Sequence, residues 1–180
     1  MRGFFGVGVE GIHKPQNVGS LVRSSHAFGA SFFFTIAPSV DIRGIQLTDT
    51  SDAFEHLPYY EYPTIPELEL PLGCQLVAVE LVEDAIELPS FRHPLRAAYV
   101  LGPEMGNVSP ELLEKCDFTI KIPMKFCINV GVAGAIVMYD RLISLGKFAP
   151  RPVKAGGPTE ALPLPVFAKH RRIGEKVKKS

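Results

Sequence analysis

The sequence predicts an α/β fold with a mainly parallel sheet and helices on both faces. Short apolar runs alternate with helix-like segments along most of the chain. Runs such as SFFFTIA and QLVAVE are apolar at successive positions, as strands covered on both sides must be. The helix-like segments also start and stop at residues suited to helix ends.

In chain order, strands are expected near Phe4–Val9, Ser31–Ala37, Gln75–Glu80, Ala97–Leu101 and Phe118–Ile122. A short run at Tyr59–Tyr62 is flanked by prolines and should lie at a sheet edge. A first helix should begin after Pro15, capped by Asn17, and stop at Gly29. A second begins at Ser109-Pro110-Glu111, where serine caps and proline fits the first turn, and ends near Cys116. The longest runs from about Asn129 to Leu145 and closes at Gly146. Its small apolar interior, VGVAGAIVMY, predicts burial on most sides or contact with a second subunit. Gly131 and Gly134 each weaken that helix by ~1 kcal/mol relative to alanine, so close helix packing is the expected reason for them.

Composition narrows the function. With 180 residues, 46% apolar and 21% charged, the chain can bury a sizeable core and is not a disordered polymer. No apolar run reaches the ~18 residues of a membrane span. The first residues lack a signal-peptide pattern, so a cytoplasmic location is expected. Cys74, Cys116 and Cys127 are scattered, with no CxxC pair, and read as reduced thiols with no zinc site or disulfide frame. The histidines are dispersed as well; His13, His26, His56 and His93 read as structural or surface groups, and no metal is expected.

Net charge is zero but unevenly spread. Val166–Ser180 holds six basic residues and one acid, a balance of +5, which leaves −5 on the rest. Before it, APRPVKAGGPTEALPLP has linker composition. The expected division is a folded domain over residues 1–149 and a Pro/Gly linker with a basic tail over 150–180. Such a tail suits phosphate, and so RNA.

Gly6-x-Gly8-x-x-Gly11 matches a dinucleotide-binding fingerprint in spelling only. The glycines lie inside the first apolar run and Pro15 delays the helix, whereas the fingerprint needs them in the turn that opens it. No acid follows SFFFTIAPS at the end of the second strand. A nucleotide-dependent oxidoreductase therefore rests on the glycine triplet alone.

Three other segments are specific together. They are PQNVGSLVR (Pro15–Arg23) with SSHAFGA after it, YVLGPEMGNVS (Tyr99–Ser109), and Ile122-Pro123-Met124 followed by CINVGVA (Cys127–Ala133). In their order and spacing they resemble the SpoU/TrmH family of the SPOUT class of methyltransferases, over about residues 3–146.

That resemblance implies a parallel α/β sheet with a C-terminal deep trefoil knot, a homodimer, and S-adenosylmethionine as cofactor, with S-adenosylhomocysteine as product. It implies methyl transfer to a ribose 2′-hydroxyl of tRNA or rRNA, tRNA being favoured because a chain without an added recognition domain can treat a small folded RNA as substrate. The cofactor cleft would draw on Leu101, Gly102, Glu104, Gly106, Ile122, Pro123, Met124, Cys127 and Ile128. Glycines 102 and 106 would allow close backbone approach, and Ile122, Met124 and Ile128 could sandwich an apolar ring.

The catalytic set implied is Arg23, Asn17, Glu104 and Asn129. Relatives have been assigned an arginine base, but with a pKa above ~12 a guanidinium is a poor one. Arg23 is expected to bind phosphate and orient the hydroxyl. Asn17 would position Arg23 or the ribose, Glu104 the dimer contact or substrate side, and Asn129 the knot and catalytic face. Cys127 stands where many relatives have serine, and Gly131 where serine or alanine is common. These departures support the alternative, an RNA-binding protein of the same fold without transfer activity; the retained Asn17, Arg23, Glu104 and Asn129 oppose it.

Overall fold

The computed structural model describes residues 3–42 and 53–157. The chain divides into a unit ending at Gly146 and a second, Lys147–Ser180. In the second, residues 147–157 form neither helix nor strand, and the basic tail at Val166–Ser180 lies outside the described residues.

The first unit runs β1 (Phe4–Glu10), α1 (Pro15–Ala27), β2 (Phe32–Ile36), α2 (Ala53–His56), β3 (Tyr59–Tyr62), β4 (Gln75–Val79) and β5 (Ile86–Glu87). A 3-10 turn at Leu88–Ser90 leads to β6 (Arg96–Leu101), α3 (Pro110–Lys115), β7 (Phe118–Lys121) and α4 (Val130–Leu145). The strands form one sheet in the order β3-β2-β1-β6-β4-β7-β5. Every neighbouring pair is parallel. β3 lies at an edge, as its prolines require; β5 was not anticipated, because two residues carry no readable alternation.

Period-two alternation divides the core between the two faces. Phe5, Val7 and Val9 of β1 face the layer that holds Val18, Leu21 and Val22 of α1 and Ala133, Val137 and Met138 of α4. On the other face, Phe32, Phe34, Ala78, Ala98 and Val100 pack with Leu112 of α3.

The same alternation explains the glycine triplet. Gly6 pairs with Phe32 and Gly8 with Phe34 across β1 and β2. A Cβ at Gly6 would fall 2.2 Å from the Phe32 ring, and one at Gly8 would fall 2.3 Å from the Phe34 ring. Both glycines therefore leave room for phenylalanine on the α3 face. Gly11 takes φ +61° in the turn that ends β1.

Gly131 and Gly134 seat α4 against α1. A Cβ at Gly131 would lie 2.7 Å from Ser20 Oγ, and one at Gly134 would lie 2.6 Å from Leu21 Cδ2. The expected reason for these glycines is the observed one. Burial of α4 is one-sided, however: Val132, Ile136 and Tyr139 are exposed, the last at 52%.

On the buried side of α4, Arg141 donates to the carbonyls of Pro94 and Leu95 and to the Tyr99 hydroxyl. Tyr99 bonds His93 Nδ1 at 2.6 Å, and His93 Nε2 bonds Asp140 at 2.9 Å. His93 is thus structural. Cys74 and Cys116 are free, half-buried thiols, and burial pushes them up to about 11 and about 12.

Candidate active site

The strand order reverses direction around β1 and β6, and ligands in open α/β sheets bind beyond the carboxyl ends of strands at such a point. A cleft of about 550 Å³ lies there, over the ends of β4, β6 and β7 and beside the N-terminus of α4. Its size falls within the ~300–1,000 Å³ range of small-molecule sites. It is lined by Leu101, Gly102, Glu104, Gly106, Ile122, Met124, Cys127, Ile128 and Asn129, together with Asn17. Of the residues assigned to the cleft from sequence, Pro123 alone does not line it.

Glycine shapes the loop after β6. A Cβ on Gly102 would come 2.8 Å from the Val108 backbone nitrogen, so the loop closes on itself only with glycine there. Gly106 takes φ +143°, which side chains rarely tolerate. Two acids hold the closed loop: Glu80 accepts from the Val108 N–H at 2.6 Å and Glu10 from the Ser109 N–H at 2.8 Å. Ser109 in turn caps α3 by accepting from the Leu112 N–H.

The cleft's polar wall is a hydrogen-bonded chain through all three motifs. Glu104 Oε1 accepts from Asn17 Nδ2 at 2.8 Å and from the Lys14 N–H at 3.1 Å. Oε2 accepts from the His13 N–H at 3.2 Å and lies 2.8 Å from His13 Nδ1. Asn17 Oδ1 accepts from Asn129 Nδ2 at 2.8 Å, and Asn129 Oδ1 caps α4 by accepting from the Gly131 N–H. An ionised carboxylate only accepts, so it fixes the orientation of both amides.

Burial pushes the Glu104 carboxyl up, but the donors of Asn17, the backbone at Glu104 itself, His13 and Lys14 outweigh it and hold the group below its ordinary range. The carboxylate also meets the N-terminus of α1, whose own first turn has no acid and whose N-cap, Lys14, offers no side-chain cap. Asn17 therefore does not cap α1, contrary to expectation, because its amide is committed to Glu104 and Asn129.

Arg23 stands apart. It lies on the exposed face of α1 beside a shallow groove with Gln16, Gly19, Ser20 and Ser24, and it does not line the cleft. The structure brings Asn17, Glu104 and Asn129 together but leaves Arg23 about 9 Å of helix rise beyond Asn17.

The profile of the SpoU rRNA Methylase family matches residues 5–139. The chain belongs to that family. A Staphylococcus aureus protein assigned to the TrmH family of tRNA/rRNA methyltransferases is 30% identical over 142 residues, covering 73% of this chain and 56% of its own. A Staphylococcus haemolyticus protein of the same description is 29% identical over 142 residues, covering 73% of this chain and 55% of its own. The chain thus spans about half the length of the curated relatives it matches.

Among solved structures, the SpoU methyltransferase AviRb from Streptomyces viridochromogenes superposes with a TM-score of 0.70 at 22% identity, over 78% of this chain and 59% of its own. An AdoMet-bound rRNA methyltransferase from Sinorhizobium meliloti gives 0.72 at 17% identity, over 82% and 59%. At these identities the likeness establishes the shared fold.

Sequence reasoning on this SpoU family chain missed Glu10, Glu80 and Lys14. Lys14 and Glu80 line the cleft, and Glu10 anchors its loop. The readable signal is an acid at the carboxyl end of a strand: β1 ends in Glu10, and Glu80 directly follows β4. Among the described residues no group of three or more His, Cys, Asp or Glu could hold a metal ion, and no helix is long and apolar enough to cross a membrane.

Proposed function

We propose that the chain is an S-adenosylmethionine-dependent RNA methyltransferase acting on a ribose 2′-hydroxyl, with tRNA favoured over rRNA. The observation that carries this is the cleft wall: one hydrogen-bonded chain, Glu104–Asn17–Asn129, joins the three family motifs beside a cavity of small-molecule size.

The residues fit the cofactor. Leu101, Ile122, Met124 and Ile128 offer apolar surface for an adenine ring, and the loop at Gly102 and Gly106 offers backbone groups for its polar edge. When bound, the cofactor supplies a methyl group on a positively charged sulfur. Glu104, ionised and pinned, keeps a negative charge on that wall, which favours a cationic ligand. Asn17 and Asn129 hold it there, and Cys127, exposed in the cleft, occupies the position of the family's serine without needing nucleophilic chemistry.

The reading includes a C-terminal trefoil knot, a cytoplasmic homodimer, and the folded-domain and tail division at residue 149. The exposed apolar stripe of Val132, Ile136 and Tyr139 on α4 supports a dimer, since such a face is otherwise left to water. α4 packs against α1, so a contact there would bring Arg23 to the interface, where it could bind RNA phosphate and orient the hydroxyl. The basic residues of Val166–Ser180 would add salt-dependent attraction to RNA.

Labelled S-adenosylmethionine, incubated with unmodified tRNA and separately with rRNA, tests this. Digestion to nucleosides and mass spectrometry should find a 2′-O-methyl nucleoside in the tRNA fraction. Methylation on a base, or none in either fraction despite cofactor binding, would reject the ribose assignment.

A further inference from the structure

We infer that Glu80 is a further cofactor-binding residue: its carboxylate accepts the two ribose hydroxyls of S-adenosylmethionine. This rests on the cofactor reading above and names the group that receives the sugar.

Main-chain pairing places the residue. Val79, the last residue of β4, pairs with Leu101 of β6 and with Ile120 of β7. Glu80 follows immediately, and its own N–H donates to the Ile120 carbonyl at 2.9 Å. It therefore stands just past the carboxyl end of a strand inside the sheet, where open α/β sheets place ligands. It lines the cleft together with Val79, Leu101, Gly102 and Ile122.

The side chain is held in place by the protein itself. Oε1 accepts from the Leu81 N–H at 2.8 Å, and Oε2 accepts from the Val108 N–H at 2.6 Å. A carboxylate offers roughly four acceptor positions, so these two bonds leave one on each oxygen. Lys121, also in the lining, gives its ammonium to the carbonyls of Val82 and Glu83. The remaining positions suit two donors set side by side, which a ribose diol supplies. Hydrogen bonds from hydroxyls to a carboxylate are of the short, strong kind. An acid near a strand end takes a ribose hydroxyl in the same way in dinucleotide-binding sheets.

Glu10 supplies the contrast. It accepts from the Ser109 N–H at 2.8 Å, one residue further along the same loop, yet it does not line the cleft. Both acids anchor the loop, and Glu80 alone of the two also reaches the cavity. The charged end of the cofactor has its own acid in Glu104, on the wall with Asn17 and Asn129. Glu80 is left for the sugar.

Calorimetric titration of the full chain with S-adenosylhomocysteine and its 2′-deoxy and 3′-deoxy forms tests this. Wild-type protein should bind each deoxy form about 10–100-fold more weakly than the parent compound. In Glu80→Gln, whose amide still offers an oxygen to the Val108 N–H, that penalty should shrink to about threefold or less. Should Glu80→Gln fail to fold, Glu80→Asp, which withdraws the carboxylate by one methylene, should reduce the same penalty. Glu10→Gln, which alters a loop anchor alone, should keep the wild-type penalty. The Glu80 variant should weaken 5′-methylthioadenosine and S-inosylhomocysteine as much as S-adenosylhomocysteine, since neither the amino-acid end nor the adenine amino group is the donor. No deoxy penalty in the wild type, an undiminished penalty in the Glu80 variant, or an analogue that escapes the weakening would each overturn the inference. Wild-type protein that does not bind S-adenosylhomocysteine at all is a different failure: it removes the cofactor reading before any variant is made.

Discussion

Asn17 donates to Glu104 and accepts from Asn129, each at 2.8 Å, and so ties the start of α1 to the loop after β6 and to the start of α4. Three segments far apart in sequence are locked by one buried amide. Asn17→Ala should cost about 1–3 kcal/mol, because it strips a partner from two groups that are partly covered. Urea denaturation should show a lower midpoint at an unchanged slope.

Glu104 makes stability depend on acid. Its folded pKa lies below the ordinary 4.5, so the stabilisation is fully present above that value and is lost as pH falls through the lower folded value. Glu104→Gln should flatten that part of the stability profile. Thermal melts of both proteins from neutral to strongly acidic pH measure it.

Gly8 is a packing residue. Alanine there would drive a methyl group into the fully buried Phe34 ring, and overpacking of this kind costs about 1–3 kcal/mol. Gly8→Ala should therefore unfold at lower denaturant, whereas a glycine kept for phosphate binding would tolerate the change in stability.

Much of this was legible because the signals were local. Ser109 before Pro110 announces a cap and caps as read, and the last helix starts where the small-residue run after Asn129 says it should. The strands were legible from apolar runs, and Gly131 and Gly134 from their misfit with helix propensity. What escaped was long-range. Asn17 reads as a cap until Glu104, 87 residues away, claims its amide. Glu10 holds Ser109 across 99 residues, and no spacing rule reveals it. Arg23 lies on a face that one chain leaves exposed, so the motif that names it does not place it in the cleft.

The most direct test of the central claim, that this glycine-closed cleft binds the cofactor, is calorimetric titration with S-adenosylhomocysteine. Wild-type protein should bind one equivalent, and Gly102→Ala should weaken binding by at least about tenfold, or ~1.4 kcal/mol. The added Cβ would meet the Val108 backbone and open the loop. No binding to the wild type, or equal affinity in a folded Gly102→Ala protein, would contradict the account.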